Sequence, residues 1–232
     1  MVQKINGDFE PSSQAGSKVS IAFHFGTKEK PIGLLNPEEW ERTRPDWKQV
    51  HGISIAEVKG SHQACGQVDG LWTSSLDQPI AVVTADCVPI LLYRRDEKAV
   101  AALHAGWRGV EQRILSHFFT TLPEALSNPK DWIAMLGPSI RSCCYEVSPE
   151  LIEQFQTRFP DLPRQKIEPS HRKLDMIGIL THELEQLGTE CKAIDLNCTY
   201  CAKSERSEPL YFSYRRGDRN SRQYSMIELK KT

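Results

Sequence analysis

The hydrophobic pattern of this chain switches repeatedly between the period of a strand and that of a helix. VSIAFHF (19–25) and QYSMIEL (223–229) alternate apolar with polar residues and predict half-buried strands. PIAVVTAD (79–86), PILLYRR (89–95) and AVAALHAG (99–106) are nearly unbroken apolar runs, the mark of strands buried on both faces, with Pro89 separating the first two. WIAMLGPSI, CYEV, KAIDL and YFSY predict further short strands, and residues 48–58 a strand pair broken at Gly52. Residues 59–70 predict a loop.

Helical spacing is confined to a few segments. In GVEQRILSHFFTTL (109–122), Val110, Ile114, Leu115 and Phe118 share one face. SPELIEQFQTRF (148–159) opens with Ser, Pro and Glu, an N-terminal helix signature. Residues 174–188 form an amphipathic helix stopped by Gly188, and a short helix is expected after Pro37. Strands and helices that do not strictly alternate predict an α+β, layered, single domain over residues 1–232 rather than a doubly wound fold. The polar start, residues 1–18, is expected to be a mobile lead into the first strand.

Bulk properties narrow the function. The chain has 232 residues, 39% hydrophobic and 25% charged, with a net charge of −1. Such a balance gives no long-range attraction to nucleic acid or an anionic membrane. No apolar run reaches the length of a bilayer span, and the N-terminus has no apolar signal core. Seven cysteines, an odd number, predict thiols in a reducing cytoplasm rather than a disulfide framework. The pair in CTYC, Cys198 and Cys201, reads as buried structural thiols. Redox chemistry or half of a zinc site is the alternative; the absence of a second spaced pair, since Cys143 and Cys144 are adjacent, favours the structural reading.

The chemistry gathers in QVHG, TADCVP and LHAG, where His51, Cys87 and His104 each stand at a strand end or turn beside glycine or proline. Two imidazoles and a thiolate make a borderline-soft set suited to zinc or copper. Three protein ligands leave a fourth position open, as catalytic zinc sites do. The plainer reading is a buried cysteine with ordinary core histidines. Arg108 beside the turn glycines, and Tyr214, Arg215 and Arg216 in FSYRRGDR, are candidate phosphate and substrate contacts; Tyr145 is a candidate for stacking on a base. Asp86 and Glu146 are placed by motif position as proton shuttles, whereas Asp69 and Gly70 read as a turn without a catalytic role.

QVHG, TADCVPILL, HAGWRG, GPSIRSCCYEV, NCTYC and YFSYRRGDR, in that order, closely resemble the multicopper polyphenol oxidase (laccase-domain) family, the YfiH-like proteins. The resemblance runs from about Lys48 to the end of the sequence. It implies a layered α/β/β/α sandwich with mixed β-sheets, and His51, Cys87 and His104 as metal ligands. It further implies a zinc-dependent purine nucleoside phosphorylase with adenosine deaminase activity, acting on nucleosides and phosphate as a monomer or homodimer. Three other readings stay open. One is single-site copper phenol oxidation, since seven histidines without a His-x-His pair do not build a trinuclear copper cluster. The second is a metal-free hydrolase or deamidase using Cys87 and His104 as nucleophile and base. The third is a non-catalytic metal-sensing or interaction module.

Overall fold

The computed structural model describes residues 3–4 and 19–231. The expected mobile start, residues 1–18, therefore lies almost wholly outside the described residues. In chain order the elements are β1 (Gln3–Lys4), β2 (Val19–Phe25), α1 (Pro37–Thr43), β3 (Asp46–Lys48), β4 (Ile55–Glu57), β5 (Ala64–Gln67), β6 (Gly70–Thr73), β7 (Ile80–Thr84), β8 (Val88–Arg94) and β9 (Val100–Ala105). They continue with α2 (Trp107–Glu111), α3 (Ile114–Thr121), β10 (Trp132–Leu136), α4 (Pro149–Arg158), α5 (Arg164–Ile167), α6 (Met176–Leu187), β11 (Glu190–Ile194) and β12 (Gln223–Lys231).

Local chemistry sets the helix ends. Asn36 and Glu39 form a reciprocal capping box on α1. The Ser148 hydroxyl accepts from the Leu151 amide ahead of Pro149 in α4, and the Asp175 side chain accepts from Gly178 N at the start of α6. Gly188 ends α6 at φ 72°, a conformation glycine adopts without penalty.

A mixed sheet of seven strands runs β1-β11-β10-β8-β9-β6-β4, and an antiparallel sheet runs β2-β12-β7. Strand alternation divides the core between them. Ile90 and Leu92 of β8, with Ala101 and Leu103 of β9, face a helical layer that buries Phe118, Phe155 and Ile179. Their neighbours Leu91, Tyr93, Val100 and Ala102 face the opposite way, onto Ile21, Phe23, Ile80, Val82, Ile227 and Leu229 of the smaller sheet. On that sheet's outer face Trp40 of α1 is fully buried against Ala81 and Met226. The layers are thus helix, sheet, sheet, helix, as the resemblance implied. Continuous burial of β8 and β9 follows from their central place between two layers.

Several expectations are corrected. CYEV and YFSY are turns and loops rather than strands, because their backbone groups bond locally or to side chains; Tyr145 N donates to Arg141 O, and Phe212 N to the Gln223 side chain. Pro89 does not separate two strands but lies within β8, opposite His104. Residues 59–70 include a strand, β5, paired in parallel with β3. The pair expected over 48–58 becomes β3 and β4 in different sheets, with residues 49–54 a loop between them. The helix expected over 109–122 is two, broken where Arg113 takes φ 59°.

Candidate metal centre

β7 belongs to the small sheet and β8 to the large one, so the chain must cross between sheets at residues 85–87. The crossing needs a sharp bend, and Asp86 adopts φ 98°, a costly angle for a non-glycine residue. Both carboxylate oxygens of Asp86 hold that bend in place. One accepts from the Thr199 hydroxyl at 2.6 Å, the other from Arg215 N at 2.8 Å. Cys87 follows immediately and opens into the gap between the two sheets.

His104 is the fifth residue of β9 and lies on the sheet-to-sheet face, 3% exposed. Its Nδ1 donates to Asp69 Oδ1 at 2.8 Å, which leaves Nε2 to face Cys87 and any ligand the two would share. Asp69 is fully buried, and it also gathers the loop that carries His51. Its carboxylate accepts from the backbone amides of Val50 at 3.2 Å, His51 at 2.9 Å and Gly52 at 2.7 Å. That grip holds His51 at φ 61°. Burial works against the Asp69 charge, but His104 and the loop amides keep its pKa below the ordinary carboxylate value. The turn residue given no role from sequence is therefore the positioning residue for two of the three candidate ligands. Its only sequence signal was an acidic residue opening a buried apolar strand.

The ligand atoms of His51, Cys87 and His104 lie within 4.8 Å of one another. The two imidazoles meet edge to face at 4.8 Å between centroids. Gly106 is required here for space rather than for its angle, since its φ is −72°. A Cβ at that position would stand 3.0 Å from His51 Cδ2 and 3.2 Å from Cys87 Sγ. Donor chemistry, the His104 Nε2 turned toward Cys87 and this cradle together fit a divalent metal of zinc type. In the absence of metal, burial opposes ionisation of Cys87, yet the adjacent imidazoles hold its thiol down at about 6. Burial likewise opposes charging of His104, and Cys87 with Asp69 lifts it to about 9. A thiolate–imidazolium pair is the result.

The three residues form part of the lining of a cavity of about 700 Å³, with Arg108, Tyr145, Tyr214, Arg215 and Arg222 around it. Arg108 stacks on Trp107 at 4.2 Å, and Arg215 lies 5.3 Å from the Tyr145 ring while donating to Glu146 O. Arg222 was missed, because nothing distinguished it from a surface charge in sequence. Arg216 is corrected: its guanidinium turns away from the cavity and donates to the carbonyls of Thr199, Tyr200 and Tyr211 and to Asp218. Glu146 is corrected too, since it pairs with Arg172 and Lys173 outside the cavity. Asp86 lines the cavity with both oxygens already engaged. His62, the other histidine in the loops leading to β6, is exposed and stands apart from the ligand group. Cys198 is buried as expected but Cys201 is exposed, and the two stand with Cys143 and Cys144 in one group.

Among the described residues, no helix is long and apolar enough to cross a membrane. Comparison with known proteins agrees with the fold and the motifs. The multi-copper polyphenol oxidoreductase laccase family matches residues 39–230. Purine nucleoside phosphorylase YfiH of Escherichia coli (strain K12) is 31% identical over 189 residues, spanning 81% of this chain and 74% of its own. A purine nucleoside phosphorylase of Clostridium acetobutylicum is 28% identical over 219 residues, spanning 89% and 86%. The crystal structure of YlmD from Geobacillus stearothermophilus superposes with a TM-score of 0.72 at 25% identity, covering 98% of each chain. A Neisseria meningitidis protein shares the fold at a TM-score of 0.73 and 22% identity, covering 97% of this chain and all of its own. This chain belongs to the multi-copper polyphenol oxidoreductase laccase family, the family of the YfiH-type purine nucleoside phosphorylases.

Proposed function

We propose that this protein is a zinc-dependent purine nucleoside phosphorylase of the cytoplasm, converting adenosine, inosine or methylthioadenosine and phosphate to the free base and the sugar 1-phosphate. One observation carries the reading: a single cavity joins the His51, Cys87 and His104 ligand set to three arginines and two tyrosines. Phosphorolysis can make use of all three kinds of group. Zinc held by the three ligands would supply fixed positive charge and an open coordination position for an oxyanion. Arg108, Arg215 and Arg222 provide forked donors for a phosphate dianion. Tyr145 and Tyr214 offer ring faces to a purine. As the phosphate oxygen bonds to the anomeric carbon, the glycosidic bond breaks and its electron pair passes to the base, which must gain a proton. Burial pushes the Tyr145 phenol up to about 12, so it stays a neutral O–H donor at the cavity wall.

Adenosine deamination is proposed as the subsidiary activity. It needs a carboxyl or equivalent group to move protons, and Asp86, the one carboxylate lining the cavity among the described residues, is committed to Thr199 and Arg215. A trinuclear copper cluster is disfavoured, because the site gathers two histidines at one centre, whereas a single copper on the same His₂Cys set would keep the phenol-oxidation reading. One observation favours a second reading. Cys87, His104 and Asp69 stand in the order nucleophile, base and orienting carboxylate, which suits a metal-free thiol hydrolase.

The test is to incubate purified protein with inosine or adenosine, with and without phosphate, beside Cys87→Ala and metal-stripped protein. Free base and ribose 1-phosphate formed only with phosphate, metal and Cys87 support the proposal. Nucleosides left untouched by the metal-loaded protein overturn it. Hydrolysis of another substrate that survives metal removal and is abolished by iodoacetamide would establish the thiol reading.

A further inference from the structure

Cys143, Cys144, Cys198 and Cys201 come from two segments 54 to 58 residues apart, yet their four sulfurs lie within 4.8 Å of one another. Backbone pairing brings the segments together. Ser139 bridges Cys198 in parallel, and Thr199 N donates to Ser139 O at 3.0 Å. The Arg141 side chain donates across to Asp195 O at 3.1 Å. Beyond this zipper, a tight turn closed by Cys144 N and Tyr145 N on Arg141 O presents the two adjacent cysteines toward the C-x-x-C turn.

We propose that these four cysteines form a second, structural zinc site. The spacing supports a shared ion. Cys143 Sγ and Cys201 Sγ are 3.9 Å apart, and two tetrahedral Zn–S bonds of ~2.3 Å subtend about 3.8 Å. A disulfide would need about 2.05 Å. The surroundings of Cys198 support it as well: its sulfur accepts from the backbone amides of Arg141, Tyr200 and Cys201. Amides two and three residues ahead of a C-x-x-C cysteine stabilise a sulfur that carries negative charge. Four thiolates at this separation would repel one another strongly, and a shared divalent cation is what would let them ionise together. The set is sulfur-only and closed, so it suits zinc in a structural role and leaves no position for substrate.

The site stands directly behind the cavity wall. Tyr145 and Glu146 follow the first pair of cysteines, and Glu146 O receives Arg215. Thr199 follows Cys198 and holds Asp86. Zinc here would clamp the segment bearing Tyr145 to the one that fixes the crossover of Cys87. This inference is independent of the reaction proposed for the cavity.

Metal content of the whole chain tests it. Protein is purified with a non-chelating phosphine reductant, as the natural sequence, as Cys87→Ala and as Cys143→Ser/Cys201→Ser. Cys87→Ala is expected to retain about one zinc per chain, released in step with modification of four thiols by a mercurial reagent. The double serine variant is expected to lose that ion. Should the double variant fail to fold, cobalt loaded into Cys87→Ala gives the same answer through the intense charge-transfer bands of four thiolates. Metal-free Cys87→Ala whose thiols all react freely, with no rise in melting temperature on adding zinc, would overturn the proposal. So would a closed disulfide between any two of the four, found by mass after rapid alkylation of cells.

Discussion

Replacing Asp69 by asparagine isolates the residue on which the cavity's ligand geometry depends. The side chain keeps its size and loses one acceptor oxygen. In the natural chain Oδ1 serves His51 N and His104 Nδ1, while Oδ2 serves Val50 N and Gly52 N. Asparagine can offer its oxygen to only one pair, and its NH₂ meets the other pair donor to donor. Two donors therefore lose their acceptor in a fully buried place. At ~1–3 kcal/mol for each buried group left unpaired, the loss is about 4 kcal/mol. For a domain of this length 1 kcal/mol moves the melting midpoint by about 2–4 °C, so the metal-free variant should melt ~8–16 °C lower. Losing the partner of a ligating histidine should also weaken zinc binding by about 10–100-fold. Calorimetry of the metal-free proteins and zinc titration against a competing chelator read the two effects separately. An asparagine variant that melts with the natural protein and binds zinc within twofold of it would refute the assignment of Asp69 as organiser of the site.

Four further outcomes follow from the same geometry. In the metal-free protein, iodoacetamide should modify Cys87 with an inflection near pH 6 rather than 9, and zinc should block the reaction; mass spectrometry of the labelled peptide across pH measures it, and an inflection near 9 would remove the thiolate–imidazolium pair. The titration of that pair should leave metal-free stability nearly flat from about pH 6.5 upward, because the lowered Cys87 pKa adds stability as pH rises from about 6 to 9 while the raised His104 pKa removes it between 6.5 and about 9; urea unfolding at pH 6.5, 7.5 and 9 measures it, and a steep loss across that window would refute the paired ionisation. Gly106→Ala should fold normally by circular dichroism, because φ −72° suits alanine, but should bind zinc about tenfold more weakly as the new methyl presses on His51 and Cys87; unchanged affinity would show that the cradle has slack. Arg108→Ala should raise KM for phosphate by about tenfold with little change in melting, whereas Arg216→Ala should lower the melting temperature by several degrees because three carbonyls lose their donor; the reverse pattern would exchange their roles.

Much of the layered core was legible because β8 and β9 are buried on both faces and read as unbroken apolar runs. Cys87 and His104 were legible because each follows or ends such a run, and His51 because it stands at a turn beside a glycine. The carboxylate beneath them was not, because Asp69 looks in sequence like any acidic residue before a glycine, and its partners are 17 to 35 residues away. Arg215 and Arg216 are adjacent and alike as letters. Only the tertiary fold decides that one faces the cavity and the other ties Thr199–Tyr200, Tyr211 and Asp218 together. The break at Arg113 was hidden for a related reason: the apolar spacing of 109–122 continues across a left-handed residue that tertiary packing imposes. The four-cysteine group was invisible because a parallel bridge between distant loops, not any spacing in the chain, brings the pairs together.

β12 is the last strand in chain order and the middle strand of its sheet, with β2 on one side and β7 on the other. Those two flanking strands have no lateral partner in the small sheet until it is in place. Synthesis is vectorial, so the ribosome lays down β7 and the Cys87 crossover well over a hundred residues before the strand that secures them. Through that interval two apolar strand edges stand open, the usual templates for mispairing with another chain. The ligand set is then complete in composition and incomplete in position. At the proposed site metal loading would accordingly be a late event in the life of the molecule, and a bound ion would certify that the final strand has closed the sheet.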